Sequence, residues 1–94
     1  MAPEIEPGAI EWAKGLMRVL ADGGPWVIPR SALAFKKQGD TLTLVGRMAY
    51  HDAIPLTRER WAEVQQLDFE ATKEVFTAAG FKVLDETDGK QVPA

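Results

Sequence analysis

The chain has 94 residues, 46% of them hydrophobic, with three tryptophans, four phenylalanines and a net charge of −3; that supports one packed core and is too short for a second domain. It has no cysteine, which excludes disulfides, thiol chemistry and thiolate metal sites and suits a reducing interior. No signal-peptide pattern and no apolar run of spanning length occurs, so the expectation is a soluble, cytoplasmic protein with no membrane partner.

The charge is unevenly laid out. Between Arg30 and Arg47 the bases Arg30, Lys36, Lys37 and Arg47 face only Asp40, whereas acids exceed bases both before and after that stretch. A basic middle between acidic flanks is the first hint of distinct surfaces.

Residues 1–8, with Pro3 and Pro7 and no apolar periodicity, read as a frayed leader. From Ala9 to Ala21 the spacing predicts a helix. Trp12, Ala13, Leu16, Met17, Val19 and Leu20 fill one broad side, opposite Glu11, Lys14, Gly15, Arg18 and Asp22. Gly23-Gly24-Pro25 reads as its terminator, with glycine C′ chemistry followed by a breaker.

Trp26, Val27 and Ile28 form a short apolar segment interrupted by Pro29, at best an edge strand or an ordered lead-in. Ser31 to Lys37 and Thr41 to Met48 then read as a β-hairpin around Gln38-Gly39-Asp40. Leu33, Phe35, Leu42 and Leu44 alternate onto one face and Thr41, Thr43 and Lys36 onto the other. Met48 to Pro55 is a connector carrying Tyr50, His51 and Asp52.

Leu56 to Gly80 carries the strongest periodicity in the chain. Placing Trp61 at zero and advancing about 100° per residue, Val64, Leu67, Ala71, Val75, Ala78 and Ala79 share its side, widened by Phe69 and Phe76. Glu59, Glu63, Gln66, Glu70, Lys73, Glu74 and Thr77 collect opposite. Thr57 is the expected N-cap, Glu59 complements the helix dipole, and Gly80 suits the left-handed C′ position. Asp68 interrupts the apolar side and is expected at its rim or bonded to an amide or to Arg30 or Arg47. After Gly80, Phe81, Val83 and Leu84 read as a short third strand that pairs with the hairpin, and residues 86–94 as a polar, mobile tail.

The expected fold is therefore a small single α+β domain of order α-β-β-α-β, ordered over about residues 9–85. An antiparallel hairpin plus a short third strand packs against two helices on one face. The run WVIPRSALAFKKQGDTLTLV at residues 26–45, followed by GRMAY and the acidic helix, resembles small uncharacterised proteins of actinobacterial tailed phages in pattern across residues 26–84. That resemblance implies an accessory product that acts by binding host proteins, and it brings no catalytic residues with it.

The residues themselves offer little for catalysis. Ser31 is the only serine and His51 the only histidine, so a Ser/His/acid arrangement would need both, with Asp52 or Asp68, and no nucleophile-elbow spacing surrounds Ser31. One histidine without cysteine falls short of a zinc site, Asp85, Glu86 and Asp88 lack the spacing of a calcium loop, and no phosphate-cradling glycine run exists. No enzyme activity, cofactor or metal is expected.

Three surfaces remain. Glu59, Glu63, Glu70 and Glu74 stack like charges four apart, a repulsion that a basic partner would relieve. Arg30, Lys36, Lys37 and Arg47 would give the hairpin a basic face able to enter a nucleic-acid groove. A third surface is the outer sheet face, where Ala32, Ala34, Thr43 and Val45, rimmed by Lys36 and Arg47, permit close approach of a second copy. The leading expectation is a non-catalytic protein-interaction module binding a protein partner through the acidic helix face. Nucleic-acid binding through the basic hairpin and self-assembly into a homodimer are the alternatives.

Overall fold

The sheet grows outward from the hairpin that Gly39 closes. A computed structural model describes residues 5–28 and 32–88, in the order α1 (Pro7–Val19), β1 (Gly23–Ile28), β2 (Leu33–Gln38), β3 (Thr41–Arg47), α2 (Arg58–Ala78), β4 (Lys82–Asp85). The strands form one sheet in the order β1-β2-β3-β4. This is the expected small α+β domain, with the edge strand through Trp26, Val27 and Ile28 added to the expected order α-β-β-α-β.

Strands β2 and β3 are antiparallel, joined by Gly39 and Asp40. Gly39 has φ +56°, the positive φ that a two-residue hairpin turn with glycine at its first central position requires. Leu33, Phe35, Leu42 and Leu44 are all buried, so the predicted inner face holds. An irregularity between Ala34 and Phe35 shifts the register, with Ala34 opposite Gly46 but Phe35 opposite Leu44. Val45 is the extra residue of this bulge. Beyond it, the strict alternation that would put Arg47 on the outer face no longer applies, and Arg47 lies opposite Leu33 and is buried.

Strand β1 turns the apolar lead-in into a full edge strand, antiparallel to β2, with its own bulge between Gly23 and Trp26. Gly23 and Gly24 do not cap α1, contrary to expectation: the helix ends at Leu20, whose backbone is already extended (ψ 127°), and the two glycines open β1. Gly24, at φ +125°, is there because a Cβ would lie 2.8 Å from the carbonyl oxygen of Phe35.

The C-terminus of α2 follows the sequence closely. Gly80 has φ +99°, its N–H donates to the Thr77 carbonyl at 3.0 Å, and the Phe81 N–H reaches back to the Phe76 carbonyl at 3.0 Å. These are the two bonds of a Schellman cap, completed by contact between the Phe76 and Phe81 rings, 6.3 Å apart. At the other end Thr57 Oγ1 accepts from the Arg60 N–H at 3.1 Å. The helix is the crossover between β3 and β4, which pair in parallel.

The core is made by Ala13 and Met17 of α1, the four inner-face residues of the hairpin, Phe69 and Phe76 of α2 and Val83 of β4. Trp61 is buried too. The helix phase differs from the wheel: the buried stripe is Trp61, Gln65, Phe69 and Phe76, whereas Leu67, Ala71 and Ala78 are exposed. Aromatic rings bury 150–250 Å² each, so the three rings set the rotation and the smaller apolar residues are carried outward. Helix α1 shows the same economy. Trp12 and Val19, expected inside, are largely exposed, and Trp12 makes an edge-on contact to Phe76 at 5.7 Å. Pro7 and Gly8 belong to α1 and Thr87 is tied to the sheet by hydrogen bonds, while residues 1–4 and 89–94 lie outside the described residues.

Candidate functional site

The outer face of α2 carries the acidic row as predicted. Glu59, Glu63, Glu70 and Glu74 are all exposed. Glu63 pairs with Arg60 at 3.0 Å across one turn, and Glu70 accepts from Gln66 Nε2 at 3.2 Å. Both are solvent-facing contacts within the helix, of the kind that adds ~0.2–0.5 kcal/mol. Glu59 and Glu74 make no ion pair with the described residues.

The rotation of α2 adds to this row something that the sequence reading assigned to the core. Leu67 is 57% exposed and stands one turn from both Glu63 and Glu70. Ala71 and Ala78 continue the same line in solvent, and half-buried Val64 and Val75 border it on the core side. Residues 64, 67, 71, 75 and 78 follow the 3-4 spacing of a helix-packing seam. The helix thus has two apolar faces, one spent on the core and one open beside the acids.

The predicted basic surface is not assembled. Lys37 is buried among inner-face residues and its Nζ meets Asp22 Oδ1 at 2.8 Å. Asp22 Oδ1 also accepts the Gly39 N–H at 3.2 Å, clamping the hairpin turn to the α1–β1 link. The Lys37 hydrogen bond, then the Gly39 amide and the Lys37 charge, hold the Asp22 carboxyl below its usual range.

Arg47 is 3% exposed. Its guanidinium lies 5.3 Å from the centroid of the Phe69 ring, its Nη2 donates to Asp85 Oδ2 at 2.9 Å and its Nε to Thr87 Oγ1 at 3.1 Å. Thr87 in turn donates its hydroxyl and its backbone N–H to Asp85 Oδ1. Burial pushes the Asp85 carboxyl up, but these Thr87 and Arg47 bonds outweigh it and leave the group below its usual value. Of the four predicted bases, Lys36 alone is exposed among the described residues, and Arg30 lies outside them. Neither Asp22 nor Asp85 was singled out as a partner in the sequence, because both pairings span sequence-distant elements.

The outer sheet face is open. Ala34, Thr43 and Val45 are half-buried there, as is Ala32 just before β2, and Lys36 is exposed. The register places Val27 opposite Ala34 and Leu84 opposite Thr43, so these exposed residues flank the same face. Arg47 does not rim it.

Catalytic combinations find no geometry among the described residues. His51 is exposed and its Nδ1 accepts the Ala53 N–H at 3.1 Å, and Ser31 lies outside the description. Asp68 is half-buried, and no ion pair or side-chain hydrogen bond links it to Arg47. The described residues contain no group of three or more His, Asp or Glu placed to hold a metal ion, and no helix long and apolar enough to cross a membrane. Comparison with known protein families, with curated proteins and with solved structures finds no match.

Proposed function

We propose that this domain is a non-catalytic protein-interaction module that docks a basic amphipathic segment of another protein on the outer face of α2. The observation that carries the reading is the juxtaposition of exposed Leu67 with Glu63 and Glu70. An apolar anchor ringed by acids matches a partner helix with an apolar stripe and basic flanks. The acids steer association and select sign, while the Leu67, Ala71 and Ala78 ridge is low enough for close helix approach. In the phage setting that the sequence resemblance implies, the partner is a host protein met in the host cytoplasm.

The test is a pull-down from such a lysate with the parent chain and with Glu63→Lys combined with Glu70→Lys, both checked for fold by circular dichroism. The parent retains a partner that the folded variant loses. Equal capture by both would refute the assignment of this surface. The nucleic-acid reading rested on four bases sharing a face, and the burial and pairing of Lys37 and Arg47 leave it without that support.

A further inference from the structure

A cavity of about 160 Å³ opens between α1, α2, β1 and the inner face of the hairpin. Phe35, Leu42 and Phe76 form its floor, Leu16 and Leu20 its helical wall, and the more exposed Trp26 and Val27 stand at the mouth. The floor residues are fully buried, whereas Leu16 and Leu20 are half-buried and Trp26 is partly exposed, so the space reaches solvent past the indole. No charged side chain lines it. The one side-chain donor nearby, Trp26 Nε1–H, is given to the Ala21 carbonyl at 3.2 Å.

The walls cannot readily close on this space. Phe35 is stacked on Phe69 with centroids 6.5 Å apart, Phe76 is held between Trp12 and Phe81, and Trp26 is tethered through its indole nitrogen. Each ring that could swing inward is already engaged elsewhere. Water gains little by entering, because a buried water needs two to four polar partners and the walls are carbon. An apolar cavity of roughly 150 Å³ is large enough for a benzene-sized guest.

We propose that this cavity is a binding site for a small neutral molecule built on a single aromatic ring, inserted ring-first past Trp26. The rings of Trp26, Phe35 and Phe76 present edges and faces to such a guest. The volume is of the size that takes a one-ring guest, and a charged group cannot be desolvated there without a partner. The site is separate from the outer face of α2 and does not depend on the partner reading.

The test uses the full chain with methyl-labelled leucine and valine, titrated with toluene and, in parallel, with benzoate. Toluene should shift the methyl resonances of Leu16, Leu20 and Leu42 saturably and leave those of Leu67 and Leu84 in place. Benzoate should bind at least tenfold more weakly. Leu20→Trp, which fills the cavity from its helical wall, should keep the fold and lose at least tenfold in toluene affinity. If that variant fails to fold, Leu16→Phe takes its place, and the Leu67 and Leu84 methyls of the parent remain the internal control. Absence of saturable shifts up to the solubility of toluene, shifts shared by Leu67 and Leu84, or equal binding of benzoate would each overturn the site.

Discussion

The buried Arg47 allows the sharpest test of how the middle of the chain is used. In Asp85→Ala the guanidinium stays under Phe69, 3% exposed, and loses the carboxylate at 2.9 Å. Breaking a fully buried pair by removing one partner costs about 3–5 kcal/mol. The Asp85 side chain keeps 23% of its exposure, so water partly replaces it and the expected cost falls to about 2–3 kcal/mol. In a chain of this size that lowers Tm by roughly 10–20 °C. Arg47→Met removes the charge together with its need for a partner while keeping the stem packed on Phe69, and should cost ~1 kcal/mol. The double variant should match Arg47→Met. Urea unfolding followed by tryptophan fluorescence measures all three. If Asp85→Ala costs less than about 0.5 kcal/mol, the pair behaves as a solvated surface contact and Arg47 is available as a surface base after all.

The remaining expectations concern pH, helix phase, the β1 bulge and self-association. Asp22 and Asp85 both have carboxyls held below their usual range; the unfolded chain therefore binds more protons than the folded one as pH falls below ~4. Stability is fully present above that range and is lost as pH drops through the folded values, and Asp85→Asn should flatten this acid limb in an unfolding series. Leu67→Ser should change stability by less than about 0.5 kcal/mol, whereas Phe76→Ala should cost about 3–5 kcal/mol; the reverse ranking in urea melts would mean that α2 is rotated the other way. Gly24→Ala forces a Cβ to within 2.8 Å of the Phe35 carbonyl oxygen at φ +125° and should destabilise by about 1–3 kcal/mol, read by the same melts. The protein should be monomeric by light scattering, because self-docking through α2 would bring two acidic rows together. A dimer that survives Glu63→Lys with Glu70→Lys but not Leu84→Glu would place association on the outer sheet face instead.

What could be read from the sequence was local chemistry. Thr57, Gly39 and Gly80 mark a cap, a turn and a helix end, and each does so through bonds within a few residues of itself. The alternation of Leu33, Phe35, Leu42 and Leu44 likewise needed only the period of a strand. The failures came where distant packing decides. A single extra residue at Val45 reversed the side on which Arg47 falls, and nothing in Val45-Gly46-Arg47 alone announces it. The phase of α2 followed the area of its three rings rather than the count of its apolar positions, which left Leu67 in solvent. The acidic row was legible because it needs only helical spacing. Its apolar companion was not, because it became a surface only once the sheet had been covered.

The most direct test of the interaction surface is an amide chemical-shift map of this domain bound to the partner it captures. Perturbations should follow the outer face of α2, centred on Glu63, Leu67, Glu70 and Ala71, and weaken with added salt as the acidic row is screened. Perturbations confined to Ala34, Thr43 and Val45, with α2 unchanged, would contradict the assignment and move the interface to the open face of the sheet.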